Sequence, residues 1–125
     1  MSRRNSRHNA PLSHLATELL CRRRKEPGSH MKILILGGGF QQLPAIRKAH
    51  ELGLTVLLVD YLPDAPGRSE TDQSFLISTR DKDKILELAR KEDVNGILAF
   101  ASDPAEETAA YVAEKMGLPG GIYAA

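Results

Sequence analysis

From Met31 onward, short apolar runs alternate with segments in which apolar residues recur at helical spacing. The runs KILIL (32–36) and TVLLV (55–59) are continuously apolar and rich in β-branched side chains, as is typical of strands buried on both faces. SFLIS (74–78) is a weaker run of the same kind, and NGILAFA (95–101) is a further buried one. The pattern therefore predicts four short strands.

The segments between these runs show the three- and four-residue spacing of amphipathic helices. Four apolar residues share one face before Gly53, which is placed to terminate the first helix: Ala45, Ile46, Ala49 and Leu52. In KDKILELARK (82–91), one face carries Ile85, Leu88 and Ala89. The sequence thus predicts one helix after the first strand and another before the fourth.

The last helix has the clearest start signal. Asp103 is expected to cap it, Pro104 suits its first position, and Glu106 occupies the acidic position of a capping box. Its apolar stripe consists of Ala109, Ala110, Val112, Ala113 and Met116. Gly117 is expected to end it.

This element order, β-α-β-β-α-β-α, predicts an α/β fold, a small doubly wound parallel sheet of the Rossmann-like kind with right-handed crossovers. In such sheets, ligands bind beyond the carboxyl ends of the strands, where the winding reverses. Three loops meet this condition: GGGFQQ (37–42), DYLPDAPGRSETD (60–72) and SDPAE (102–106).

Composition divides the chain at about Met31. Residues 1–30 hold seven Lys or Arg and two Glu, a net charge of +5, whereas residues 31–125 hold ten basic and fourteen acidic side chains, a net charge of −4. Four interpretations of the first segment remain open: a transit peptide, a nucleic-acid-binding arm, a purification-tag remnant ending in GSHM (28–31), or a start assigned upstream of the true Met31. The last two are favoured. We expect residues 1–30 to be a disordered basic appendage and residues 31–125 to form the domain.

Few side chains offer catalytic chemistry. Cys21 has no second cysteine to pair with, so no disulfide or cysteine-based metal site is predicted. His50 lies beside Glu51 on a helix, where surface exposure explains it. Because no nucleophile–base pair, paired carboxylates or metal cluster can be assembled, we predict neither catalytic residues nor metal ligands. No run approaches the ~20 apolar residues of a membrane span, and a cytoplasmic location is expected.

The glycine loop carries half of a known fingerprint. The dinucleotide-binding pattern G-x-G-x-x-G finds Gly37 and Gly39 at its first two glycine positions but Gln42 at its third, and no Gly-Lys-Ser/Thr follows as in a P-loop. Either the glycines only turn a strand tightly into a helix, or their consecutive N–H groups bind an anion at the helix N-terminus. We favour the second interpretation, which predicts an anionic small-molecule ligand.

The loop after the second strand is long and polar. Asp60 ends that strand, so its carboxylate is expected to face the ligand crevice. Most of the following side chains are expected to be solvated turn residues: Tyr61, Pro63, Asp64, Pro66, Gly67 and Arg68. In the third loop, capping of the last helix is a sufficient explanation for Asp103.

Taken together, several segments resemble the N-terminal domain of the ATP-grasp ligases, and most closely that of the carbamoyl-phosphate-synthase-like ligases. The segments are KILILGGGFQQLPAIRKAHELGLTVLLVDYLPDAPG (32–67), Thr71-Asp72, ISTRDKDKILELARKEDVNGILAFASDPA (77–105) and AAYVAEKMGLPG (109–120). Biotin carboxylase and the ATP-grasp enzymes of purine synthesis are similar at a greater distance. The resemblance covers Met31 to about Gly121 and rests on the order and spacing of the motifs.

The resemblance implies a division of labour. In that family, the first domain is Rossmann-like and helps to bind the carboxylate or amine substrate, while ATP and Mg²⁺ lie between two later domains that activate a carboxylate as an acyl phosphate for attack by an amine. Carried over to this chain, the substrate-binding residues are Gly37, Gly38, Gly39, Gln42, Asp60, Ser102 and Asp103. Pro119-Gly120 matches the point at which the family's chain leaves this domain.

The sequence ends at GGIYAA (120–125), where the resemblance places the start of the ATP-binding domains. We therefore expect a substrate-side domain that is not catalytic alone, binds no cofactor itself, and needs ATP-grasp domains as partners. Self-association through uncovered apolar surface is expected, and nucleic acid is not an expected partner. Two alternatives remain open: a stand-alone Rossmann-like binding or interaction module, and a NAD-dependent oxidoreductase, which the missing third glycine disfavours.

Overall fold

The computed structural model describes residues 31–119, in which four strands form one sheet. The strands are β1 (Lys32–Leu36), β2 (Thr55–Asp60), β3 (Gln73–Leu76) and β4 (Gly96–Ala99). They lie in the order β3-β2-β1-β4, and every neighbouring pair is parallel. The predictions about residues 1–30, and about the segment after Pro119, lie outside the described residues.

Three α-helices connect and follow the strands. They are α1 (Leu43–Glu51), α2 (Lys82–Glu92) and α3 (Asp103–Met116). A short 3-10 helix, Phe40–Gln42, leads into α1, and a second one, Pro66–Glu70, lies between β2 and β3. The predicted element order and the predicted Rossmann-like parallel sheet are confirmed.

Each face of the sheet has its own apolar cluster. On one face, Ile35, Val56 and Leu58 pack with Ile46 and Ala49 of α1. On the other face, a larger cluster joins alternate strand residues to α2 and α3: Leu34, Leu36, Leu57, Val59, Ile85, Leu88, Ala89, Val94, Val112 and Ala113 are among its members. Because both faces are covered, β1 and β2 have continuous apolar runs and not alternating ones. The sheet is doubly wound, as predicted.

The element boundaries differ from the predictions at several points, and β3 ends at Leu76 and not at residue 78. β4 ends at Ala99, because Ala101 has a positive φ of 60° and cannot continue the strand. Leu52 is 66% exposed, since α1 ends at Glu51 and Leu52 only caps it. At the start of α3, Ser102 and not Asp103 takes the N-cap position, because the Ser102 carbonyl already accepts the Glu106 N–H at 3.0 Å.

Within residues 31–119, no helix combines the length and the apolar character that a membrane span requires.

Candidate functional site

The carboxyl ends of β1 and β4 form the point at which the winding of the sheet reverses. From β1 the chain moves outward through β2 to β3, and it then returns to place β4 on the opposite side of β1. Helices α1 and α3 both begin at this edge, on opposite faces of the sheet. Ligands of doubly wound sheets bind at such a switch point, so this crevice is the candidate site.

The three glycines after β1 use their N–H groups inside the protein. The Gly37 N–H donates to the Val59 carbonyl at 2.7 Å, the Gly38 N–H to Asp60 Oδ2 at 2.8 Å, and the Gly39 N–H to Gln42 Oε1 at 2.8 Å. The expectation that these three groups lie open to an anion is therefore wrong. The glycines shape the loop, and whether they contact a substrate stays a prediction.

Asp60 and Gln42 are buried polar side chains that join the loops to one another. Asp60 is 8% exposed and accepts the N–H groups of Gly38 and Leu62, each at 2.8 Å. Gln42 is 6% exposed, and its Nε2 donates to the Phe100 carbonyl at 2.6 Å. Gln42 thus ties the start of α1 to the chain that follows β4. Its Oε1 also accepts the Gly39 N–H, at the second glycine of the fingerprint, where the backbone would approach a pyrophosphate, and this counts against a nicotinamide cofactor.

The segment between β2 and β3 (61–72, the β2–β3 connection) packs on the glycine loop through a backbone contact. The Gly67 N–H donates to the Gly38 carbonyl at 2.7 Å. A Cβ atom on Gly67 would lie 3.0 Å from that carbonyl oxygen, and one on Gly38 would lie 2.6 Å from Leu58 Cδ2. Neither position has room for a side chain. Gly67 was expected to be a solvated turn residue, and that expectation is wrong.

Arg68 stabilises the β2–β3 connection through hydrogen bonds to three backbone carbonyls. Its guanidinium donates to the carbonyls of Asp60 at 2.6 Å, Leu62 at 2.8 Å and Phe75 at 3.5 Å. Arg68 therefore closes the carboxyl edge between β2 and β3, contrary to the expectation of a solvated residue. Sequence reasoning missed it because one arginine in a polar loop carries no local signal of its acceptors.

An ion pair and a histidine–carboxylate hydrogen bond fasten the β2–β3 connection to α1. Arg47 forms a bidentate pair with Glu70, both contacts at 2.9 Å, and its hydrogen bonds lower the pKa of the Glu70 carboxyl. Asp72 Oδ2 accepts the Val56 N–H at 2.8 Å and lies 3.0 Å from His50 Nε2. The N–H of Val56 first, and His50 second, lower the pKa of Asp72.

The opposite side of the crevice is open. Among the described residues, no acceptor contacts the N–H groups of Phe40 and Gln41, which begin the first turn ahead of α1. Ser102 makes no side-chain capping bond, and Asp103 is exposed. Unpaired N–H groups at helix N-termini attract anions, by about 0.3–1 kcal/mol at exposed sites. The crevice therefore favours a ligand with a negatively charged group.

Exposed apolar side chains surround this crevice. Phe40, Tyr61, Leu62, Leu76 and Phe100 all lie at or just beyond the carboxyl end of a strand, and all are exposed. Exposed apolar patches of this kind mark interaction sites in soluble proteins. Self-association through uncovered apolar surface stays a prediction. In residues 31–119, no group of three or more His, Cys, Asp or Glu is placed to hold a metal ion.

Two curated relatives carry the same description. Formate-dependent phosphoribosylglycinamide formyltransferase of Wolinella succinogenes is 34% identical over 68 residues, which is 54% of this chain and 18% of the relative. The protein of that description from Sulfurovum sp. is 32% identical over 87 residues, which is 70% of this chain and 22% of the relative. The chain thus spans about a fifth of the length of the curated relatives it matches. No family model matches the sequence.

A solved structure has a similar fold. Phosphoribosylglycinamide synthetase from Anaerococcus prevotii superposes with a TM-score of 0.69 and 22% identity, over 76% of this chain and 24% of that one. At this identity, the likeness shows the fold alone. Together with the sequence matches to the formyltransferases, it makes the chain a homologue of the ATP-grasp ligases that matches their N-terminal, Rossmann-like domain.

Proposed function

We propose that residues 31–119 act as the substrate-side domain of an ATP-grasp ligase, and that the crevice at the β1–β4 switch point holds an anionic, phosphoribosyl-bearing substrate. The names of the relatives support this substrate class, because each contains phosphoribosylglycinamide. A closer kinship with the carbamoyl-phosphate-synthase-like ligases stays a prediction.

One observation carries the proposal. The open N–H groups of Phe40 and Gln41 lie at the same edge as Ser102 and the N-terminus of α3, whereas the neighbouring glycine N–H groups are bonded inside the protein. An anion is therefore received by the two helix starts and not by the glycines themselves. Phosphate suits such a position because it brings several acceptor oxygens and a negative charge.

The contribution of this domain to a ligase reaction is binding and orientation. In the proposed enzyme, ATP and Mg²⁺ activate a carboxylate as an acyl phosphate, and domains beyond the described residues hold both groups. Asp60, Gln42 and Arg68 fix the loops by hydrogen bonds to backbone groups. In this proposal, Asp103, which is exposed, accepts hydrogen bonds from an amine or a hydroxyl of the substrate.

The proposal is tested by titrating the full chain with 5-phosphoribosylglycinamide and with its dephosphorylated riboside, followed by calorimetry and amide chemical shifts. The phosphorylated compound is expected to bind at least about tenfold more tightly, and to shift the Phe40 and Gln41 amides most. Ser102→Ala should weaken its binding by about threefold, a loss within the range of one hydrogen bond.

Ser74→Ala is the matched control, because Ser74 is exposed on β3 outside the crevice. Equal binding of the phosphorylated and dephosphorylated compounds, or shifts confined to other surfaces, would overturn the proposal.

A further inference from the structure

A groove of about 420 Å³ lies between the first turns of α2 and α3, on the face of the sheet opposite to α1. Its lining is Arg80, Lys82, Asp103, Pro104, Glu107 and Thr108. The groove adjoins the crevice at Asp103, but its other lining residues are separate from those that hold the glycine loop. Its volume is within the range of small-ligand sites, roughly 300–1,000 Å³.

The two walls of the groove carry opposite charges. Arg80 lies just ahead of α2, and Lys82 begins that helix. On the other wall, Asp103 and Glu107 are four residues apart on α3 and so share one face of the helix. Their like charges repel each other, and neither is neutralised by an ion pair with another described residue.

Arg80 is likewise unpaired with any carboxylate of the described part of the chain. The Arg80 guanidinium thus lies beyond ion-pair distance of Asp103 and Glu107, although these three residues line the same groove. The ammonium of Lys82 is engaged elsewhere, 5.3 Å from the centre of the Tyr111 ring. Because the basic and acidic side chains of the groove do not pair with each other, a ligand that carries both a positive and a negative charge can pair with each of them.

From this arrangement we infer that the groove binds a small zwitterion. Its ammonium group lies between the carboxylates of Asp103 and Glu107, and its anionic group, a carboxylate or a phosphate, lies at Arg80. Thr108 is buried and donates its hydroxyl proton to the Pro104 carbonyl at 3.4 Å, so it forms the floor and does not compete for the ligand. The inference goes beyond the proposed function, because the zwitterion occupies this groove and not the crevice at Phe40 and Gln41.

The probes are three compounds with similar carbon chains and different charges: γ-aminobutyrate, butylammonium and butyrate. Each is titrated into the isotope-labelled full chain, and amide shifts around Arg80 and Glu107 are followed. The zwitterion is expected to bind about fivefold more tightly than either singly charged compound, since one solvent-accessible ion pair contributes up to about that factor. O-phosphoethanolamine, tested alongside, shows by its relative affinity whether phosphate or carboxylate is preferred at Arg80.

Two variants separate the two ends of the ligand. Glu107→Gln should weaken γ-aminobutyrate and butylammonium by about three- to fivefold and leave butyrate unchanged. Arg80→Gln should do the reverse, weakening γ-aminobutyrate and butyrate only. Glu114→Gln, on the same helix but outside the groove, and Arg90→Gln, at the far end of α2, are matched charge controls that should change none of the affinities.

The inference is overturned if the zwitterion binds no better than its singly charged analogues, if its shifts map away from the groove, or if the groove variants behave like the controls. Its failure is distinct from that of the proposed function. Ser102→Ala should not affect γ-aminobutyrate, so a chain that binds the zwitterion but no phosphoribosyl compound refutes only the crevice.

Discussion

Two loops at the carboxyl edge of the sheet differ in how they are held. The β2–β3 connection is bound at Gly67, Arg68, Glu70 and Asp72, by backbone contacts, a guanidinium, one ion pair and one histidine–carboxylate hydrogen bond. The segment 100–102 (the β4–α3 loop) is linked to the glycine loop by one side-chain hydrogen bond, from Gln42 to the Phe100 carbonyl. One side of the crevice is thus a fixed wall, and the other presents unengaged polar groups. A ligand therefore gains more hydrogen bonds on the side of the crevice where the protein has not already bonded its own donors.

The largest effect is expected from removing the carboxylate that supports the fixed wall. Asp60→Ala leaves the N–H groups of Gly38 and Leu62 without their acceptor, and should lower the free energy of unfolding by about 3 kcal/mol. Urea denaturation measures this change. Asp64→Ala, an exposed acid in the same connection, should stay within about 0.5 kcal/mol of the parent chain. Equal effects of the two substitutions would show that the Asp60 carboxylate does not stabilise this side of the crevice.

A smaller loss of unfolding free energy is expected from a side chain that pushes the backbone at Gly67 away from the backbone at Gly38. Gly67→Ala places a Cβ 3.0 Å from the Gly38 carbonyl oxygen and 2.8 Å from Ile46 Cδ1, which should cost about 1–3 kcal/mol of unfolding free energy. The control is Gly96→Ala, because a Cβ there meets nothing within 4 Å. If both alanine variants denature at the same urea concentration, the close approach of the β2–β3 connection to the glycine loop is refuted.

The smallest expected effect is the pH dependence of stability that arises from Asp72, which bonds the β2–β3 connection to β2. The Val56 N–H and then His50 lower the pKa of Asp72, so the folded state binds its proton less readily than the unfolded chain. This contribution is complete above the unfolded value of about 3.9 and is lost as the pH falls through the lower folded value. Because the Asp72 side chain is 48% exposed, it should amount to less than about 1 kcal/mol.

Asp72→Asn keeps an acceptor for the Val56 N–H but removes the titration. The difference in unfolding free energy between the parent chain and this variant should therefore shrink as the pH is lowered from 6 towards about 2.5. A difference that stays constant over that interval would show that the pKa of Asp72 is not linked to folding.

The sheet was predictable from the sequence because its signal is local. The continuous apolar runs of β1 and β2 follow from burial on both faces, and Asp60 ends β2 as predicted. Whether its carboxylate faces a ligand stays a prediction. The roles of Gly67 and Arg68 were not predictable. They depend on how closely two backbones approach and on which carbonyls converge, and both properties arise only when distant segments meet in the fold.

The start of α3 shows a second kind of limit. Asp103 and Ser102 are both residue types that cap helices, and the sequence alone does not choose between neighbouring candidates. The choice is made by Ala101, whose positive φ turns the chain directly after Phe100 and brings the Ser102 carbonyl to Glu106. That conformation costs a non-glycine residue about 1–2 kcal/mol, and no sequence pattern announces it.

The contact between Gly38 and Gly67 also has a consequence for sequence divergence. A Cβ on Gly67 would meet the Gly38 backbone and Ile46, and a Cβ on Gly38 would meet Leu58, so both positions should stay glycine in related proteins. The short stretch 63–64 is exposed and lies between Leu62 and Gly67, which are both held by hydrogen bonds. Insertions and deletions should therefore accumulate there, so that evolution can remodel the mouth of the crevice without disturbing the core.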